Sequence, residues 1–195
     1  KNIKRKKIII NNTNIGAGLS RNLGILKSKG KYISFIDSDD IWKKDKLKNQ
    51  LLFMLDNKIE FCFTSYSIIN KKNTIVKFIK AKKNIDYEDL VKSCDIGLST
   101  VMLKTRLLKK IKFTKIKTKE DYLLWIKLSK KNIKMLGINE TLTSWRQTNN
   151  SLSSSITQKL KDAFLIYNHH LKFNFFKSLI FVFLLSIKSL TKKYL

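Results

Sequence analysis

Three carboxylates, Asp37, Asp39 and Asp40, stand within four residues of one another, with Ser38 among them. They do so in a chain that has 14 acidic residues against 41 basic ones, so chance clustering explains them poorly. The run before them, Tyr32, Ile33, Phe35 and Ile36, is rich in β-branched and aromatic side chains and predicts a strand buried on both faces. Carboxylates at the C-terminal end of such a strand lie where open α/β sheets bind ligands. As hard oxygen donors they suit Mg²⁺ or Mn²⁺ beside a phosphate. The competing reading is a polar turn in which Asp40 caps the next helix. A second acidic pair, Glu120 and Asp121, precedes Tyr122, Trp125, Ile126 and Ser129, which share one helical face with Leu124 and Leu128 beside them. The pair therefore falls at a helix N-terminus, where the macrodipole favours anions; taken alone it reads as a helix cap.

The elements that must position these groups follow from apolar spacing. Ile8 to Ile10 reads as a short strand or the remnant of one. Gly16 and Gly18 supply a turn, and Ser20 is expected to cap a helix carrying Leu23, Leu26 and Lys27. Trp42, Leu47, Leu51 and Met54, with Leu55, predict a helix directly after the acidic triplet. Phe61, Phe63 and Thr64 to Ile69 predict a strand, Asn70 to Asn73 a turn, and Thr74 to Ile79 a returning strand. A short helix opens at Asp86, a strand covers Thr100 to Leu103, and a further helix begins near Thr105. The stretch containing Thr141 to Arg146 is strand-like and runs into a polar, Ser-rich loop. From Ser155 the chain reads as helical throughout, with Leu160, Phe164 and Tyr167 on one apolar face. Only ten residues separate Lys177 from Lys188, well short of the ~20 that a spanning helix needs. Phe173, Phe175, Phe176 and Phe181 suit either a helix lying in a membrane interface or one packed on the main domain.

A chain of 195 residues, 43% hydrophobic, has enough apolar content for a real core. Its net charge of +27 comes almost entirely from lysines spread along the whole length, with abundant Asn and Ile and no Pro. That pattern reads as a coding bias as much as a binding surface, and no Arg-rich or aromatic cluster points to nucleic acid. Cys62 and Cys94 are isolated thiols without metal-ligand spacing, as expected of buried free cysteines in a reducing cytosol. His169 and His170 have no Cys or acidic neighbours and read as structural or solvent-facing.

The segment GLSRNLGILKSKGKYISFIDSDDIWKKDKLKNQ resembles the core of family 2 glycosyltransferases, the inverting GT-A-fold enzymes that use nucleotide-diphosphate sugars in making surface polysaccharides. The resemblance covers roughly residues 10 to 155. It implies an α/β, Rossmann-like nucleotide-diphospho-sugar transferase domain over residues 1–155, followed by a helical, membrane-proximal tail over 156–195. By position, Asp37 and Asp39 match the family's DxD pair, which contacts the donor ribose and binds the metal on the diphosphate; Asp40 matches a frequent extra acid. Arg21 and Asn22 match an RN pair near the donor, where a guanidinium can fork onto phosphate oxygens or else anchor its loop to backbone carbonyls. Glu120, Asp121 and Trp125 resemble the ED motif, which makes Asp121 the expected general base with Glu120 in reserve. Arg146 and Ser151 match a stretch that closes over the donor diphosphate, with Trp145 in place of the usual Tyr and Thr148 where a His often stands.

The resemblance implies a nucleotide-diphosphate sugar donor, a glycan or lipid-linked acceptor, a divalent cation, and a cytoplasmic site of work at or near the inner membrane face. The family's first strands, which hold the nucleoside, are expected to be missing from this sequence. An inactive fragment of such an enzyme is therefore one alternative, and a basic nucleic-acid-binding protein a more remote one.

Overall fold

The computed structural model describes residues 6–148 and 155–194. Its elements in chain order are α1 (Ala17–Lys27), β1 (Tyr32–Ser34), β2 (Ile41–Trp42), α2 (Lys46–Asp56), β3 (Phe61–Ile69), β4 (Ile75–Ile79), β5 (Asn84–Ile85) and α3 (Tyr87–Lys92). They continue with β6 (Met102–Lys104), α4 (Thr105–Lys110), α5 (Glu120–Ser129), β7 (Met135–Arg146), α6 (Ile156–Leu165) and α7 (Phe175–Tyr194). The strands form one mixed sheet of order β1-β6-β3-β7-β2, with β4 added to β3 and β5 to β7. Its spine is the parallel pair β3 and β7, which runs from Phe61 opposite Met135 to Ile69 opposite Arg146 with the register shifting between Thr64 and Tyr66. The other pairings are antiparallel.

The core forms between this sheet and α5, whose Tyr122, Leu123, Leu124, Trp125, Ile126 and Leu128 are all buried. An α-helix that is apolar on nearly every side must be covered on every side. Here β3 covers one side, where Phe61 meets Trp125 edge-on at 5.1 Å. The tail covers another: Ala163, Ile166, Tyr167, Leu171 and Leu185 belong to the same buried cluster as Phe61 and Trp125. Two tyrosines close the polar gaps in that contact. The hydroxyl of Tyr122 lies 2.6 Å from the Leu90 carbonyl and that of Tyr167 lies 2.8 Å from the Val91 carbonyl, with the two hydroxyls 3.0 Å apart. Buried tyrosines need such partners.

Several local expectations are corrected. Ile8 and Ile10 are exposed and form no strand, because no neighbouring strand offers them a ladder. Gly16, not Ser20, is the N-cap of α1, at φ 84°. Ser20 lies in the first turn, where its hydroxyl donates back to the Gly16 carbonyl. Strand β1 is half-buried rather than buried on both faces, since it lies at the end of the sheet. Trp42 belongs to β2, paired with Thr143, so α2 begins four residues later than Trp42 with Asp45 as its N-cap. Asp40 therefore caps no helix. The tail is not helical throughout: a π-turn at Ile166–His170 ends α6, and the chain reverses before α7. Its inward face is Asp162, Ala163, Ile166 and Tyr167, while Leu160 is exposed.

One glycine sets the distance between α1 and the loop before α5. A Cβ on Gly18 would meet the Thr114 carbonyl at 2.7 Å and the Glu120 Cγ at 3.2 Å. In an open helix Gly→Ala would gain up to about 1 kcal/mol. Gly18→Ala is expected instead to destabilise by about 1–3 kcal/mol, as overpacking does. Urea unfolding of the variant checks the sign; a gain in stability would show that the two segments are free to separate.

Candidate active site

The loop after β1 and the N-terminus of α5 meet in one cavity of about 540 Å³. Its walls carry Arg21, Asp37, Ser38, Asp39, Asp40, Glu120, Asp121 and Arg146, so eight of the residues singled out in the sequence converge. Arg21 joins the two acidic groups directly. One end of its guanidinium binds Asp37 Oδ1 at 2.8 Å and the other binds Glu120 Oε1. The Arg21 side chain is 19% exposed and that of Glu120 10%, so both charges are partly desolvated and each needs the other. The fork thus serves as a crosslink between carboxylates rather than a tie to backbone carbonyls. Despite its burial, the guanidinium is held more firmly protonated by Asp37 and Glu120.

Asn22 does not face the cavity. Its amide donates to the Phe113 carbonyl at 2.9 Å and accepts from the Phe113 N–H at 3.1 Å, which clips α1 to the segment leading into α5. Arg146 is also largely engaged. Its Nε donates to the Asp39 carbonyl, Nη1 to the Asn70 carbonyl and Nη2 to Asn73 Oδ1, while its backbone N–H donates to Asp40 Oδ1. It thereby fastens the acidic loop to the β3–β4 turn. Asp40 is 9% exposed, and burial raises its pKa, partly offset by the Ser99 hydroxyl and the Arg146 N–H. Ser38 and Asp39 are exposed to the cavity. Ser151 lies outside the described residues.

Among the described residues no three His, Cys, Asp or Glu side chains converge as a metal cage. Mg²⁺ and Mn²⁺ bound against a diphosphate need only one or two carboxylates, the phosphates and water supplying the rest. Asp37 and Asp39, two hard oxygen donors on one cavity wall, fit that smaller demand.

Asp121 is a carboxylate whose chemistry the cavity changes. Burial first, and the neighbouring Glu120 charge second, push its pKa up from 3.8 to about 6, against the opposing pull of the Tyr122 N–H, Arg21 and Lys119. A carboxylate tuned towards neutrality is suited to accept a proton near neutral pH. The turn that presents it is unusual: Lys119 adopts the left-handed conformation, φ 63°, which is uncommon for a residue with a side chain. Asp162 of α6 holds that turn. Its Oδ2 accepts from both the N–H and the hydroxyl of Thr118 at 2.8 Å, and its Oδ1 from Gln158 at 2.9 Å.

Ser99, in a small-residue segment that resembles the family's stretch before the acceptor-side strand, and the residues beneath it also brace the acidic loop. Ser99 accepts the Asp37 N–H at 3.1 Å, and the indole of Trp42 donates to the Ser99 carbonyl at 2.7 Å. Beneath them the fully buried Lys46 donates to Gln50 at 2.5 Å and lies 4.2 Å from the Trp42 ring centre, while Gln50 donates to the Thr100 carbonyl. Burial lowers the Lys46 pKa to about 8. Lys117, Lys119 and Lys159 complete a basic cavity wall that composition could not single out from the other lysines.

Residues 1–116 match the sequence profile described as glycosyl transferase family 2. The chain belongs to that family. It is 36% identical over 176 residues to the putative teichuronic acid biosynthesis glycosyltransferase TuaG of Bacillus subtilis, a match covering 90% of this chain and 70% of that protein. It is 37% identical over 158 residues to the Escherichia coli enzyme WfgD, named as a UDP-Glc:alpha-D-GlcNAc-diphosphoundecaprenol beta-1,3-glucosyltransferase, covering 80% of this chain and 62% of that one. The fold matches a crystal structure of Staphylococcus aureus TarS 1-349 with a TM-score of 0.58 at 20% identity, over 80% of this chain and 45% of that one. The same TarS segment crystallised with UDP-GlcNAc matches at 0.57 and 19% identity, over 77% of this chain and 47% of that one. The chain thus spans about two thirds of these sequence relatives and under half of the TarS segment. The α/β sheet with flanking helices is that of the GT-A family fold.

The tie from Asp162 to Thr118 is expected to set the position of Asp121. Asp162→Ala should lower kcat about tenfold or more with donor KM little changed, and Asp162→Asn, which keeps one acceptor oxygen, should restore much of the loss. Equal losses in both variants, with donor KM rising alongside, would indicate general unfolding of the turn.

Proposed function

We propose that the protein transfers a sugar from a nucleotide-diphosphate donor to a glycan or lipid-linked acceptor in surface-polysaccharide synthesis, working at the membrane face where such acceptors are held. The observation that carries this reading is the Arg21 fork, which sets Asp37 and Glu120 in one cavity that Asp39, Asp121 and three lysines also line. The name of WfgD, with its diphosphoundecaprenol acceptor, and the UDP-GlcNAc bound by TarS support the same substrate classes.

Asp121 is the general base. Its carboxylate takes the proton of an acceptor hydroxyl while that oxygen attacks the anomeric carbon opposite the diphosphate. The bond from that carbon to the diphosphate oxygen breaks as the new glycosidic bond forms, the nucleoside diphosphate leaves with the electron pair, and configuration inverts. Glu120, held by Arg21, keeps the base in place and contributes to its raised pKa. Arg21, Ser38 and Arg146 shape the donor side, with Arg146 fixing the loop that carries Asp37 and Asp39. A divalent cation, Mn²⁺ or Mg²⁺, held by Asp37 and Asp39 would neutralise charge on the departing diphosphate. Lys117, Lys119 and Lys159 supply further positive potential there.

Asp121→Asn should reduce turnover by about 10²-fold or more while leaving donor affinity nearly unchanged. A transfer rate within a few-fold of the parent would remove Asp121 from the role. The raised pKa gives a second readout. A carboxyl that holds its proton more tightly folded than unfolded subtracts stability as pH rises from about 4 through about 6. Asp121→Asn is therefore expected to raise the thermal midpoint at pH 7.5 and to leave it unchanged near pH 3.5, provided the fold persists there. Asp39→Asn should weaken donor binding as well as turnover, and calorimetry with and without Mn²⁺ should show the parent's metal dependence reduced in that variant.

A further inference from the structure

Helix α7 has two apolar faces. One, carrying Ser178, Phe181, Val182 and Leu185, packs on the core. The other carries Phe176, Leu179, Ile180, Phe183, Ile187 and Leu190, all between 40% and 76% exposed. Their spacing of three and four residues places them in one stripe along the helix. The stripe continues onto α6 through a groove of about 510 Å³ that includes Leu160, Phe164 and Leu165. An exposed apolar surface of this extent marks an interaction site.

Charge identifies the partner. From Ser155 to the end the sequence has seven lysines and a single acid, Asp162, and Asp162 is buried against Thr118. Lys161, Lys172, Lys177 and Lys188 are exposed around the stripe. A second copy of this chain would set one lysine-bordered face against another with no exposed acid to offset the repulsion. An anionic lipid surface satisfies both features at once, taking the apolar stripe at the acyl boundary and the lysines among the headgroups. Among the described residues no helix is long and apolar enough to cross a membrane, and α7 would lie in the plane of the interface.

We propose that the outer faces of α6 and α7 seat the protein on an anionic bilayer. The position of α6 gives this surface its use. Lys159 lines the catalytic cavity while the adjacent Leu160 lines the apolar groove, so the two are separated by about one helix width, roughly 10 Å. A sugar carried on a lipid diphosphate would then meet the cavity close to the headgroup level. That use rests on the lipid-linked acceptor proposed above, whereas the binding itself is measured without turnover.

The test is flotation of the full chain with phosphatidylcholine vesicles, with or without phosphatidylglycerol, alongside the triple variant Phe176→Ser, Phe183→Ser, Ile187→Ser. The parent should float with the mixed vesicles and far less with phosphatidylcholine alone. The variant should lose roughly tenfold or more of the partition while keeping its thermal midpoint, since these side chains are exposed. Asp121→Asn should float like the parent, so that loss of transferase activity leaves the docking result unaffected. Equal flotation of the triple variant would assign binding to diffuse lysine charge and overturn the proposal. So would a parent that ignores vesicles and sediments as a dimer which the triple variant dissociates.

Discussion

The guanidinium of Arg21 is the constraint on which the site depends. It lies on α1, yet its two ends hold a carboxylate from the loop after β1 and another from the first turn of α5. Those segments are far apart in sequence and have no ladder hydrogen bonds to each other. A lysine would put a single rotatable point charge there, whereas the planar guanidinium holds its two donor ends, and so the two carboxylates, at a fixed separation. The packing around the fork reads as support for it: Gly18 lets α1 approach, Asn22 clips the chain at Phe113, and the Phe113 ring lies 5.7 Å from the guanidinium.

The tail contributes to the same end from the other side. Asp162 fixes the left-handed turn before α5, and the Tyr122 and Tyr167 hydroxyls tie α5 and the π-turn to the end of α3. The turn that Asp162 fixes leads directly into Asp121, whose pKa rises chiefly through burial. The placement of Asp121 and the packing of the tail are therefore linked. The lysine excess has a local meaning as well, since Lys117, Lys119 and Lys159 line the same cavity as the carboxylates.

Motifs were legible in the sequence because they are local. The acidic loop at Asp37 to Asp40, the pair at Glu120 and Asp121, the strand from Phe61 to Ile69 and the helix opened by Asp86 all follow from spacing and residue type. What could not be read depends on distant partners. Trp42 looks helical until Thr143 draws it into a strand pair, and Asp40 looks like a cap until the Arg146 N–H claims it. Lys46 carries no sign that it is buried beneath Trp42. The periodicity of α7 revealed apolar character without showing that one face would be covered and the other left open.

The central claim, that one arginine couples the two acidic motifs, is tested most directly by a double-mutant cycle of Asp37→Asn and Glu120→Gln, followed by equilibrium unfolding. Because both acids share the Arg21 charge, the two losses should be non-additive by about 1 kcal/mol or more. Additivity within about 0.3 kcal/mol, with both variants folded, would mean that the two carboxylates do not share the arginine.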